Sequence, residues 1–219
     1  MSGVTQATFM NQRSFGPPPP GAIGSAYQGG FYAGQIAVGG GGVATHYLVV
    51  APVATGQSTL QWKTTNTATA GTSSVIDGPT NSSNMNNASH PAGQFCEGLT
   101  IGGFTDWYMP AKNELEVQYY FLKPTTAPPV DNNTSGGSNA NAVSPEPIST
   151  NYTAYSPAQT SATIFQSGGA EAFSNLTYWC STAHASASYA LYQNMGSGGQ
   201  AANFKNVSLP VRAIRRVPV

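Results

Sequence analysis

The sequence predicts an α+β fold, and three observations carry the prediction. Short apolar or β-branched stretches bounded by Gly, Pro, Asn and Ser occupy the first and last thirds of the chain, as strands and turns do. Two stretches of the middle third repeat apolar residues three and four apart, as helices do. The 219 residues are enough for one domain with a sizeable core, alone or with an arm.

Residues 1–22 read as an arm and residues 23–219 as the domain. The run Pro17-Pro18-Pro19-Pro20 predicts a stiff, extended segment, either a tail or a docking arm that orders against neighbours. The stretch Gly29 to Ile36 predicts a short strand, and the glycines from Gly39 to Gly42 a turn. His46 to Ala51, apolar and β-branched without alternation, predicts a buried strand that pairs with the first as a hairpin. Leu60 and Trp62 mark a strand end, and residues 63–83 read as a Thr-, Ser- and Gly-rich loop.

The first helix is expected from about Asn84 to Gly98, with Ala88, Ala92, Phe95, Cys96 and Leu99 at helical spacing. Pro91 conflicts with an early start and fits a first turn at Ser89-His90-Pro91. The second helix is expected from Met109-Pro110 with early carboxylates that complement the dipole; Leu115, Tyr119 and Leu122 form its apolar face and Lys123-Pro124 its stop. Residues 124–150 read as a long irregular excursion. Ala162 to Phe165 predicts a small strand or turn, Leu176 to Thr182 and Ala187 to Asn194 two strands, Gly196 to Gly199 a turn, and Ser208 to Val217 the closing strand.

Charge excludes several functions. Eight basic and eight acidic residues cancel, and charged residues are 7% of the chain, against about 25% in ordinary domains. With no basic excess there is no footprint for duplex nucleic acid or an anionic membrane surface. No stretch reaches the roughly 18 apolar residues of a membrane span, and none has the pattern of a secretory signal. A neutral surface rich in Asn, Ser, Thr and Gln suits a protein displayed in an assembly.

Chemistry is thinly supplied. His46, His90 and His184 are isolated, and no Cys-x-x-Cys or His-x-x-x-His offers zinc spacing, so neither a metal nor a cofactor is expected. Cys96 and Cys180 read as two buried free thiols, with a single bridge as the alternative. Glu114 and Glu116, two apart on a helix, do not face each other; one is expected to be solvated and the other to cap or pair. Gly39 to Gly42 lacks the lysine and helix of a phosphate loop. The expectation is a protein that is not an enzyme.

Three motifs carry a resemblance. Gly103-Phe104-Thr105-Asp106-Trp107-Tyr108-Met109-Pro110-Ala111-Lys112-Asn113-Glu114-Leu115 resembles the "DWxLP…EL" helix start of a family of C-type-lectin-like domains common in phage tail-fibre and virion proteins. Tyr178-Trp179-Cys180-Ser181-Thr182 resembles that family's "YWSST" strand, and Val211-Arg212-Ala213-Ile214-Arg215 its terminal "VRAVR" strand. The motifs follow the family's order over roughly residues 24–219. The resemblance implies a C-type-lectin-like fold: two helices packed on small, twisted antiparallel sheets with long loops on one face, related to formylglycine-generating-enzyme-like domains. The cysteine pair of that enzyme cannot be placed here, so its activity does not carry over. Pro145-Glu146-Pro147 is a superficial echo of a calcium-lectin loop, and no Trp-Asn-Asp strand exists, so calcium-dependent sugar binding does not carry over either.

The resemblance also implies a recognition surface in a loop between Cys180 and Arg212, offering His184, Ser186, Ser188, Tyr189, Tyr192, Asn194, Gln200 and Asn203. Tyr, Ser and Asn of this kind also dominate antibody paratopes; the alternative is that they solvate a strand and turn or pack against neighbouring subunits. The expected protein is a virion component of a tail fibre, tail tip or capsid fibre. It would bind a host-surface receptor, glycan or another virion protein, be attached by its N-terminal arm, and form a homotrimer. A purely structural decoration or cement protein is the alternative.

Overall fold

The computed structural model describes residues 17–129, 139–143, 152 and 156–219. Residues 1–16 of the arm and Pro145-Glu146-Pro147 lie outside the described residues; of the polyproline run, Pro17, Pro18 and Pro19 are exposed, and the Pro18 carbonyl accepts from the Tyr27 hydroxyl at 2.9 Å. The described residues form an α+β fold of nine strands in three antiparallel sheets with four short helices. One sheet runs β1 (Ala26–Tyr27), β2 (Gly30–Ile36), β3 (His46–Val50), β9 (Ile214–Pro218). A second pairs β4 (Gln57–Gln61) with β8 (Ser208–Arg212), and the third is the meander β5 (Thr177–Ala183), β6 (Tyr189–Asn194), β7 (Gln200–Phe204).

The central position of β3 explains why its sequence does not alternate. Leu48 and Val50 face one core with Ala33, Ile36, Leu115, Tyr119 and Ile214. Tyr47 and Val49 face another with Trp62, Trp107, Trp179 and Val211. A strand buried on both faces reads as a continuous apolar run. The expected β2–β3 hairpin is present, with an irregularity between Tyr32 and Gly34. Gly34 holds φ +120° there, and a Cβ would meet Phe121 at 2.7 Å and Val117 at 2.8 Å, so only glycine lets α4 (Lys112–Leu122) seat on this strand.

The helices are shorter than their sequence patterns. The pattern from Asn84 yields α3 (Pro91–Glu97), because Pro91 starts the helix and Gly98 caps it; the preceding residues form turns. A helix lies inside the stretch expected to be a loop. This α2 (Gly78–Ser83) has no apolar residue to give a period, and its signals are local: the Asp77 side chain accepts from Thr80 N–H at 3.2 Å, and Pro79 sits in the first turn. Residues Val53–Gly56 add a one-turn helix, α1, before β4. The helix α4 begins at Lys112, two residues after Pro110, and ends where Lys123-Pro124 was expected to stop it. Thr163–Phe165 is a short 3-10 turn.

Two corrections concern the last third. The closing segment is not one strand: Ala213, bonded to Gly56 and Ala51, passes the chain from β8 on β4 to β9 on β3. The span between Cys180 and Arg212 is not a loop, because Gln200–Phe204 adds a third strand to the meander. Its sequence, QAANF, is weak in strand formers, and pairing with β6 supplies what propensity lacks.

The three motifs meet at one junction. Asp106 accepts two bonds from Arg215, from Nε at 2.7 Å and Nη2 at 2.9 Å. Glu114 accepts from Arg216 Nε at 2.7 Å, from the Tyr108 hydroxyl at 2.5 Å and from the Ala111 N–H at 2.8 Å, which caps α4. Ser181 N–H donates to the Pro110 carbonyl at 2.7 Å, and Thr182 Oγ1 accepts from Lys112 N–H at 3.0 Å. Glu116 is not the solvated carboxylate expected: it is fully buried, with Oε1 accepting from Tyr152 at 3.0 Å and Oε2 without a partner among the described residues. Burial pushes its pKa up to about 7, against the pull of Lys112 and the Tyr152 bond. Both cysteines are buried free thiols; burial raises each pKa, so neither is a thiolate.

Candidate functional site

Two clefts flank the turn where β5 passes into β6. The strand β5 carries extra residues between Trp179 and Ala183, where its register against β6 shifts. The bulged residues bond elsewhere: Ser181 to Pro110, Thr182 to Ser74, and Ala183 N–H to the Thr72 carbonyl at 2.7 Å. This draws loop 63–73 alongside the turn that follows. The turn closes on itself, with His184 N–H on the Tyr189 carbonyl and Tyr189 N–H on the Ser186 carbonyl, both 3.1 Å. His184 Nδ1 accepts from Ser186 N–H at 3.0 Å, so the neutral ring carries its proton on Nε2.

Exposed His184 stands as a ridge between two clefts. One, about 360 Å³, runs between loop 68–73 and residues 183–187, with Lys205 in its wall. The other, about 270 Å³, is bounded by Lys112, Leu191, Gln200, Ala201 and Ala202. Beside the ridge, Tyr189 and Phe204 stack at 4.5 Å with rings 27° apart, and Phe204 is 44% exposed. The loop is tied to this end by Ser188 Oγ donating to the Asn66 carbonyl at 3.2 Å and by Asn206 N–H donating to Asn66 Oδ1 at 3.1 Å.

Beneath the loop lies a cationic cluster on Trp62. Lys205 Nζ sits 4.6 Å from the Trp62 ring centre and donates to the Thr67 carbonyl at 3.1 Å. Lys63 Nζ donates to the Ala68 carbonyl at 2.6 Å and approaches the same Thr67 carbonyl at 3.5 Å. Burial, then Lys63, lower the Lys205 pKa to about 8. His90 packs edge-on against Trp62; its Nδ1 meets Asn87 Oδ1 at 2.8 Å and its Nε2 Thr69 Oγ1 at 2.9 Å. The Asn87 oxygen only accepts, so the proton is on Nδ1. Burial, then Lys63 and Lys205, push the His90 pKa down to about 4 and keep it neutral.

The residues expected from the sequence divide between the two ends of the meander. His184, Ser186, Ser188, Tyr189 and Asn203 gather at the ridge end. Asn203 Oδ1 is taken by the Phe204 N–H at 2.8 Å. Tyr192 is half-buried against the second core, Asn194 Oδ1 caps the far turn by accepting from Gly196 and Ser197 N–H at 2.9 Å each, and buried Gln200 donates to Gln193 at 2.6 Å. Sequence reading missed Lys63, Lys205, Ser73 and Phe204. Only Phe204 had a local signal, as an aromatic beside a turn; the lysines reach the ridge through pairing between segments about 140 residues apart.

Among the described residues no three His, Cys, Asp or Glu come together in a metal-binding group, and no helix is long and apolar enough to cross a membrane. No protein-family model, curated protein or solved structure matches the chain.

Proposed function

We propose that this chain is a phage virion protein with a C-type-lectin-like domain, a component of a tail fibre, tail tip or capsid fibre. The His184 ridge is its contact surface for a host-surface receptor or another virion protein. The observation that carries this reading is the division of labour between the ends of the meander. The resemblance motifs lock together through Asp106–Arg215 and Glu114–Arg216, while the ridge end presents exposed aromatic, imidazole and hydroxyl groups beside two clefts. Contact residues held by a rigid scaffold suit recognition. A non-enzymatic role is supported by the use made of the ionisable groups: Glu114 and Glu116 are internal, and both thiols are buried.

Immunogold labelling of intact particles tests the location, with a signal confined to the cytosol of infected cells counting against it. A pulldown on host cells tests adhesion: loss of binding in Tyr189→Ala supports it, while a wild-type chain that labels particles but never binds cells favours the decoration or cement alternative. The arm is proposed to attach the chain in the particle, and a homotrimer is the proposed assembly; light scattering that shows a monomer at micromolar concentration overturns the latter.

A further inference from the structure

The two lysines beside the ridge pair with no carboxylate among the described residues. Arg212, Arg215 and Arg216 each hold a carboxylate within 2.7 Å, whereas Lys63 and Lys205 hold none among the described residues. Lys205 is 1% exposed, yet its ammonium, with three protons to donate, has one carbonyl acceptor among the described residues, which the second ammonium also approaches. Buried Lys123 shows the contrast, since it has two carbonyls to itself at 2.9 and 2.6 Å. Removing an ammonium from water costs several kcal/mol unless a partner compensates, and a like charge close by adds to that. Neutral His90 adds no counter-charge.

The surroundings indicate what could supply it. Lys205 walls the cleft of about 360 Å³, within the roughly 300–1,000 Å³ of ligand sites. The Thr72 hydroxyl in the same cleft is already spent on the Thr69 carbonyl at 2.9 Å; Ser73 and His184 also line the cleft, and the His184 Nε2–H has no partner among the described residues. Ser73 and His184 are donors suited to a carboxylate. Phe204, adjacent in sequence to Lys205 and stacked on Tyr189, offers an exposed ring face near these donors. A sugar ring has an apolar C–H face that fits such a surface, and its hydroxyls suit the polar lining. We propose that this cleft receives the carboxylate of an acidic saccharide, a uronate-type residue, with Lys205 in its wall supplying charge, Lys63 behind it on the shared Thr67 carbonyl adding to the positive field, and the Tyr189–Phe204 pair beside His184 the apolar contact at its edge. This deepens the adhesive reading and rests on it for the choice of a saccharide.

Calorimetric titration of the purified full chain with hexagalacturonate, maltohexaose and inorganic phosphate tests the proposal apart from cell binding. The expected result is hexagalacturonate binding about tenfold or more tighter than maltohexaose, weakened by salt as ion pairing requires and about tenfold weaker in Lys63→Gln. Lys63 is half-buried, so this variant keeps its fold, and circular dichroism confirms that. Absence of hexagalacturonate binding, equal binding of maltohexaose, or unchanged affinity in both Lys63→Gln and Lys205→Met overturns the proposal. Phosphate binding tighter than hexagalacturonate on the same lysines overturns the saccharide assignment. Uronate binding in a chain that fails the host-cell pulldown leaves the cleft assignment standing and counts against the receptor reading alone.

Discussion

Where the three motifs meet, each buried or half-buried guanidinium has a carboxylate. Arg212 lies 2.6 Å from Glu171 between the rings of Phe165 and Phe173, Arg215 on Asp106 and Arg216 on Glu114. At the Trp62 end, two ammoniums share the Thr67 carbonyl, Lys205 alone lies over the Trp62 ring, and no acid among the described residues pairs with either. Guanidinium forks fix geometry in a way that a point charge does not, so the first arrangement orients a scaffold. The second leaves charge uncompensated next to open space. In a chain with so few ionisable residues, the difference separates groups that hold the fold from groups available to a ligand.

The motif end should be the more fragile. Arg216→Met leaves the Glu114 carboxylate fully buried with only Tyr108 and Ala111 as donors. Breaking one side of a buried pair costs about 3–5 kcal/mol. Urea unfolding should show that loss, and the double variant Arg216→Met/Glu114→Gln should recover part of it. A loss under about 1 kcal/mol in the single variant would end the claim that this pair orients the scaffold.

Glu116 tests the same contrast from the acid side, since it is buried without an arginine. Its folded pKa, about 7, is above the unfolded value of about 4.3. The stabilisation is therefore complete below about pH 4.3 and is lost as pH rises through about 7. The gap corresponds to roughly 4 kcal/mol at 1.36 kcal/mol per pH unit. Chemical unfolding from pH 4.5 to 8.5 should reveal the decline, and Glu116→Gln should flatten it while keeping the Tyr152 bond. An identical slope in the variant would assign the pH dependence to other groups.

The extent to which this was legible in the sequence follows the range of the forces. Buried strands and α4 announced themselves through apolar runs and spacing, because burial against a core acts along consecutive residues: Leu48 and Val50 on one side, Tyr47 and Val49 on the other. The polar helix α2 carried no period, and β7 little propensity, so both were invisible except through a cap or a partner strand. At the site, His184 and Tyr189 were reached through the family resemblance, which implied a contact surface between Cys180 and Arg212, with Tyr189 read in a strand. Lys205 was not, because its role depends on Trp62 and Thr67, which are remote in sequence.

Lys205 sharpens the comparison from the basic side. Its folded pKa, about 8, lies below the unfolded value of about 10.4, so the stabilisation is fully present above about pH 10.4 and is lost as pH falls through about 8. Lys205→Met should remove that slope and leave stability at pH 7 within about 1 kcal/mol of the parent, since one shared hydrogen bond is exchanged for apolar contact with Trp62. A loss as large as that of Arg216→Met would make Lys205 a scaffold residue and remove the distinction between the two ends.

The smallest effect on folding is expected at Lys63, where the distinction is tested most cleanly. The residue is half-buried, and its ammonium makes exposed hydrogen bonds to carbonyls of its own loop, four and five residues on, which close a local turn. Substitutions away from core, cap and network positions change stability by about 0.5 kcal/mol or less, and thermal unfolding of Lys63→Gln should stay within that. The same variant relieves the repulsion on Lys205, whose pKa should then rise, and the change can be followed by NMR titration of Nζ. A residue whose loss leaves the fold intact but raises the pKa of Lys205, which walls the cleft, acts through the field at that wall. If Lys63→Gln instead destabilises the chain by more than about 2 kcal/mol, its place is structural and the lysine end is a second scaffold.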